Sequence, residues 1–452
     1  MSDRRLALLG LMALVLALAL GSCSTSDDGG SDVTPVDIPA ASMTYVVLAW
    51  SDLGMPFFSP TFDKDVLLPP YASLRAQVVR RGDPPEIVTT GVILEYSIVG
   101  NTYSYGKSTP PTEEDPLRLY AGFWDNSLDL FGVDLAIDTG LNFADPGVHY
   151  GLTGTMALKG DRFEIDGVPV VPIDDAGTWE PYQVAEIVVR DSTTLVELAR
   201  TQATVPVSDE ISCAKCHGKT FNDEEVLSVL EEHDEGQGTS FAADGLPVLC
   251  ADCHGSPALG QTEAGSSGYF LSQAIHGLHS TVSPACYDCH PGDETKAHRS
   301  TAHTSDTGSC TGCHGTMTTI TTSIVGGRVP WSGMPKCAGC HTFVAEVDTG
   351  ADPARNGTGH GGLSCSACHG TPHAQVPSNE EADHYAFDQY QGRALALGSC
   401  RVCHTRSKGG GLMGIVLAHG GGEPTSCTVC HTGPIRTTNP ANFPHRFQWR
   451  SR

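Results

Sequence analysis

The sequence predicts a chain of two unlike parts. The first, residues 43–207, is a mainly β domain, an immunoglobulin-like antiparallel sandwich. The second, residues 208–452, is a loop-rich domain of short helices with little regular secondary structure. Three observations carry this. Residues 43–207 contain no Cys and alternate short β-branched runs with turn signals. Beyond them Gly, His and Cys become frequent and long hydrophobic periodicity disappears. Eight copies of one pattern, Cys-x-x-Cys-His, then recur 24 to 37 residues apart, too close for each segment to bury an apolar core of its own.

Within the first part, the runs 44–50, 74–80, 91–98, 132–137, 151–158 and 184–189 read as strands. Lys159-Gly160-Asp161 and Asp166-Gly167 read as hairpin turns. Asp125, Asp129, Asp134 and Asp138 lack the ligand order of a calcium loop and read as solvated acids. His149 reads as structural, and no catalytic constellation stands out.

Ahead of this part, Arg4 and Arg5 precede an apolar run over 6–20 that is short beside the ~20 residues a spanning helix needs. The run ends in Leu20-Gly21-Ser22-Cys23, which resembles a bacterial lipobox. That resemblance implies a signal peptide over 1–22, a lipid on the Cys23 sulfur, and an outer-membrane lipoprotein facing the periplasm or the cell surface. Residues 23–42 are small, polar and acidic and read as a flexible tether. The chain is acidic throughout, with 52 Asp and Glu against 27 Lys and Arg and a formal net charge of −25. That balance excludes nucleic acid, which demands a basic footprint.

The eight units open at Cys213, Cys250, Cys286, Cys310, Cys337, Cys365, Cys400 and Cys427. Their second thiols are Cys216, Cys253, Cys289, Cys313, Cys340, Cys368, Cys403 and Cys430. This is the attachment pattern of c-type haem. Two thiols a short step apart reach two vinyl groups on one porphyrin edge and become thioethers, while the adjacent imidazole meets the iron from one face. Zinc sites built from Cys pairs have no need of a His after every pair. A disulfide framework would not repeat one spacing eight times. Of the 17 Cys, Cys23 alone stands outside the units.

Each unit supplies one axial His: His217, His254, His290, His314, His341, His369, His404 and His431. Ten further His lie in the same part of the chain. Eight of them are expected as second axial ligands: His233, His276, His279, His303, His360, His373, His419 and His445. His276 and His279 stand at i and i+3, so a helix would put both on one face, which suits two closely spaced haems. His298, between charged neighbours, and His384, in an acidic run, are expected as ordinary surface His.

The runs VPVSDEISCAKCHG, PVLCADCHG, QAIHGLH with CYDCHPG, TGHGGLSCSACHG and PHRFQW, together with the β-rich lead-in, resemble the multihaem c-type cytochrome lipoproteins at the outer surface of metal-reducing bacteria. The likeness covers most of residues 150–452. It implies eight haems c, mostly with two His on each iron, forming a continuous chain for electron transfer rather than an enzyme. It implies as partners other redox proteins, a porin–cytochrome conduit or an extracellular acceptor. The better-known members carry ten haems in two halves with two β-domains, so their partners do not transfer. The alternative is a multihaem reductase of a small oxyanion with one open iron. Octahaem reductases often replace one motif His by Lys, whereas all eight units here end in His. A weaker third reading is a subunit of a polymerising filament.

Overall fold

The computed structural model describes residues 43–52, 56–109, 118–221, 224–292, 294–301, 303, 310–333, 335–336 and 354–405. The leader, Cys23 and the tether lie outside the described residues, as do the fifth unit (Cys337, Cys340, His341) and the eighth (Cys427, Cys430, His431). His419 and His445 lie outside them too.

Antiparallel sheets build the N-terminal half, and short helices joined by loops follow. The strands run β1 (Tyr45–Trp50), β2 (Asp65–Val66), β3 (Ala72–Arg80), β4 (Glu86–Val88), β5 (Val92–Ile98), β6 (Ser108–Thr109) and β7 (Arg118–Leu119). They continue as β8 (Thr153–Thr155), β9 (Ala157–Lys159), β10 (Arg162–Val168), β11 (Tyr182–Asp191) and β12 (Glu197–Pro206). One sheet has the order β1-β3-β10-β9, with β4 also on β3, and the other the order β12-β11-β5-β8. Residues from both sheets share one apolar cluster, including Val47, Leu74, Ala76, Val78 and Ile165 from the first and Leu94, Tyr96, Ile187 and Val205 from the second. Burying such side chains stabilises by about 1.5–3 kcal/mol each.

Strand β3 is buried at every position except its last. Its period of two explains how. Leu74, Ala76 and Val78 enter the shared core. Ser73, Arg75 and Gln77 point the other way and are buried as well. Arg75 Nη2 pairs there with Asp52 at 3.1 Å and Asp166 at 2.7 Å. Gln77 reaches the Cys-rich part, donating to the Gly362 carbonyl at 3.2 Å and accepting the Ser364 N–H at 2.9 Å.

Strand β1 behaves likewise. Val47 faces the shared core. Val46, Leu48 and Trp50 form a second cluster with Ala367, Tyr390 and Val402 from the Cys-rich part. The Tyr390 hydroxyl donates to the Val47 carbonyl at 2.8 Å and accepts its N–H at 3.1 Å. A sheet edge that would otherwise show unpaired backbone is thereby closed by a side chain.

Several local expectations need correction. Residues 132–137 form no strand: Gly132 ends the short helix Ser127–Phe131 in the left-handed region, and Leu135 drops into the core from a loop. The run 151–158 divides between β8 and β9 in different sheets. Gly160 and Asp161 do turn β9 into β10. Asp166-Gly167 instead lies within β10 at a bulge, where Gly167 has φ +85° and a Cβ would sit 1.7 Å from the Leu141 carbonyl oxygen.

Candidate haem-binding centres

Six of the eight Cys-x-x-Cys-His units fall among the described residues, and each folds as a tight helical turn. The second, seventh and first use 3₁₀ turns, Cys250–Asp252, Cys400–Val402 and Cys213–Lys215. The third, fourth and sixth use α turns, Cys286–Cys289, Cys310–His314 and Cys365–His369. In the first three units the His N–H returns to the first Cys carbonyl, at 2.9 Å for His217, 3.0 Å for His254 and 2.8 Å for His290. One turn thus gathers two thiols and an imidazole.

Four of these imidazoles each face another imidazole. Ring centres are 6.1 Å apart for His217 and His279, 6.4 Å for His254 and His233, 6.0 Å for His290 and His276, and 6.1 Å for His314 and His373. Two imidazoles bound to one metal from opposite faces, with nitrogen–metal distances near 2 Å and about 1.1 Å from nitrogen to ring centre, stand about 6 Å apart. The spacing fits an iron between each pair. The planes divide into two sorts, crossed at 79° and 85° in the first two pairs and near-parallel at 20° and 24° in the others.

Hydrogen bonds at the other ring nitrogen fit the same use. His217 Nδ1 lies 3.1 Å from the Leu227 carbonyl, His276 Nδ1 2.7 Å from that of Ser272, and His279 Nδ1 2.8 Å from that of Ile275. A carbonyl only accepts, so Nδ1 carries the proton and Nε2 keeps its lone pair. His233 Nδ1 meets the Thr239 hydroxyl at 3.0 Å, whose own proton goes to Asp234. His254 Nδ1 meets the Ser267 hydroxyl at 3.0 Å, which donates on to the Tyr269 carbonyl. Such outer partners orient metal-binding imidazoles. Surrounding protein atoms and neighbouring imidazoles lower the pKa of His290, a solvent-exposed residue, and of half-buried His373. Both shifts favour the neutral ring, the state that offers a lone pair.

The thiols of different units also approach one another. Cys213 interacts with Cys250 and Cys289, Cys216 with Cys289, Cys286 with Cys310, and Cys368 with Cys403. Burial, and then the nearby Asp65 carboxylate, push the Cys250 thiol up to about 12. The clustering of these thiols puts the second, first, third and fourth units in one run, with the sixth beside the seventh.

The remaining expected ligands are less informative. His303 offers its carbonyl to His298 Nε2 at 2.6 Å. His360 sits at the start of the turn His360–Gly362, and its side chain lies outside the described residues. His298 and His384 are not ordinary surface residues: both are half-buried and bonded to backbone, His384 Nε2 accepting the Ser378 N–H at 3.1 Å. Their charged sequence neighbours misled. Arg299, beside His298, folds inward onto Asp383 at 2.9 Å and over the Tyr182 ring.

Three contributors had escaped sequence reasoning. The Arg299 and Ser300 N–H groups both donate to the His373 carbonyl, at 2.7 and 3.1 Å, and so fix that residue's backbone. Asp83, in the turn after β3, puts its carboxylate 3.0 Å from His404 Nδ1. Separated by 321 residues, that pair left no mark in the sequence. No family model matches the chain, and no curated protein is detectably similar to it.

Proposed function

We propose that this protein is an electron-transfer relay carrying eight covalent haems c, most of them held between two imidazoles, and that it is not an enzyme. The observation that carries the reading is the set of four imidazole pairs at 6.0–6.4 Å, each joining a motif His to a His from elsewhere. Cys213 and Cys216 with His217 and His279 would hold the first haem, and the other three sets follow the same pattern. Haem supplies a one-electron carrier; the chain's part is to space the groups and to tune them through ligands, burial and charge. The clustered thiols support close spacing, in the order second, first, third, fourth, with sixth beside seventh. Two nitrogen ligands on each of these four irons would leave those four no position for a substrate.

The lipobox supports an outer-membrane lipoprotein tethered through Cys23 and exchanging electrons with other redox proteins, a porin–cytochrome conduit or an extracellular acceptor. We further read the β part as an immunoglobulin-like sandwich. Its support is strand order: taken as A to G, β1-β3-β10-β9 reads A-B-E-D and β12-β11-β5 reads G-F-C, with β8 added beside C.

The test is the intact mass and paramagnetic resonance of protein extracted from membranes of a host with haem-ligation machinery. Eight haem additions and a lipid on Cys23 are expected, with only low-spin ferric signals. Near-parallel rings bond through the same iron orbital and crossed rings through two, so both rhombic and strongly axial low-spin signals should appear. Fewer haems, zinc in their place, or a stoichiometric high-spin iron that binds nitrite or sulfite would overturn the relay.

A further inference from the structure

The turn after β3 lies along the seventh unit. The Gly82 N–H donates to the Cys403 carbonyl at 3.2 Å, and Arg81 Nη2 donates to the Arg401 carbonyl at 2.9 Å. Asp83 Oδ1 then accepts from His404 Nδ1 at 3.0 Å, while Oδ2 takes the Thr405 hydroxyl at 2.9 Å. The approach is anchored on both sides. The Arg81 N–H is held by the Thr44 carbonyl, and Val402, 1% exposed, packs on Val46, Leu48 and Trp50. The Asp83 and His404 side chains are 12% and 21% exposed, so water screens the contact little.

No comparable anion holds the other motif His whose Nδ1 partners are given above. His217 bonds a carbonyl and His254 a hydroxyl. The Glu232 carboxylate stands 3.6 Å from His217 Nδ1, beyond hydrogen-bond distance, and is half exposed. Neutral acceptors orient an imidazole. An anionic acceptor also draws its proton away and leaves the ring more electron-rich, in a bond roughly twice as strong as a neutral one. A more basic axial ligand stabilises ferric iron over ferrous iron.

We propose that Asp83 is a positioning residue through which the β part tunes the seventh haem, holding His404 and lowering that haem's potential below those of the first and second. The inference rests on the haem reading above. It also gives the β part a role: the same sheet that buries Val402 delivers the carboxylate.

The experiment is a potentiometric titration of the full-length, haem-loaded protein, followed optically and by paramagnetic resonance, for the wild type, Asp83→Asn and Thr405→Val. Asp83→Asn keeps the shape and an acceptor oxygen but removes the charge. One of the eight one-electron steps should rise by a tenfold change in its equilibrium, about 59 mV. The other seven should stay, and all signals should remain low-spin. Thr405→Val removes a donor from the carboxylate, leaves Asp83 a stronger acceptor for His404 Nδ1, and should move the same step down. It serves also if the Asn variant fails to mature. Opposite shifts on one step are not what a merely structural contact would produce. A haem on Cys400 and Cys403 whose potential ignores both substitutions overturns this inference alone. A wild-type chain without haem on those two Cys overturns the reading beneath it.

Discussion

The strand Ala72–Arg80 and the helix Leu271–His279 are each nine residues long, yet the strand buries eight of its residues and the helix buries none. The helix does not lack apolar side chains. Leu278 is 77% exposed, and nearby Val282 and Val325 are 73% and 71% exposed. The contrast holds more widely. Most of the buried apolar residues belong to the β part, while the buried set in the described Cys-rich part is short and leans on small residues such as Ala251, Ala367, Ala374 and Ala382. One part is held by its own side chains. In the other the polypeptide alone supplies little core, which is what a framework for large flat apolar cofactors requires.

The largest effect expected from this contrast is on haem-free chain, made in a host without ligation machinery. Amides of Leu271–His279 should then exchange at close to unprotected rates, while those of β3 and β11 keep protection by orders of magnitude. A haem-free chain that protects both regions alike would break the comparison.

A smaller effect sharpens it within the Cys-rich part. His373 faces His314, whereas His298 Nε2 is taken by a carbonyl. His373→Ala should turn one haem of eight from low to high spin, and His298→Ala should turn none. Spin counting on the oxidised proteins decides, and an unchanged count for His373→Ala would remove the fourth pair.

The smallest effect lies where the two parts meet. Tyr390→Phe deletes a hydroxyl that both donates to and accepts from Val47 while leaving the ring in its apolar cluster. A buried N–H and carbonyl are left unpaired, so a loss of about 1–3 kcal/mol is expected in denaturant unfolding of the haem-loaded protein. A midpoint equal to wild type would mean that the two parts do not stabilise each other through this contact.

Much of this was legible in the sequence because it is local. Cys-x-x-Cys-His announces itself, and QAIHGLH does form a helix in which His279 meets the first unit's ring and His276 the third's. The segment 224–232 shows a local signal overlooked. Ser228 caps with Glu231 and starts a helix at Val229, while Glu224–Val226 pairs with Lys219–Phe221. The capping box was visible in the letters; the hairpin was not. What no local pattern carries is which distant groups meet. Charged neighbours made His298 and His384 look like surface residues, when their rings are spoken for by backbone. Asp83 looked like one acid among many in a turn, and its meaning comes from His404 alone.

The pairing of His314 with His373 has a consequence in time as well as in space. An exported chain emerges from its N-terminus. The partners of the first three units, His279, His233 and His276, have all emerged by the time His290 does. The fourth unit must instead wait for a residue that emerges only after the fifth and sixth units have passed. On the haem reading proposed above, attachment would run ahead of ligation at the first unit until His279 emerges and at the fourth until His373 does, so a stall in export between His314 and His373 would strand an intermediate with three closed centres and one still open.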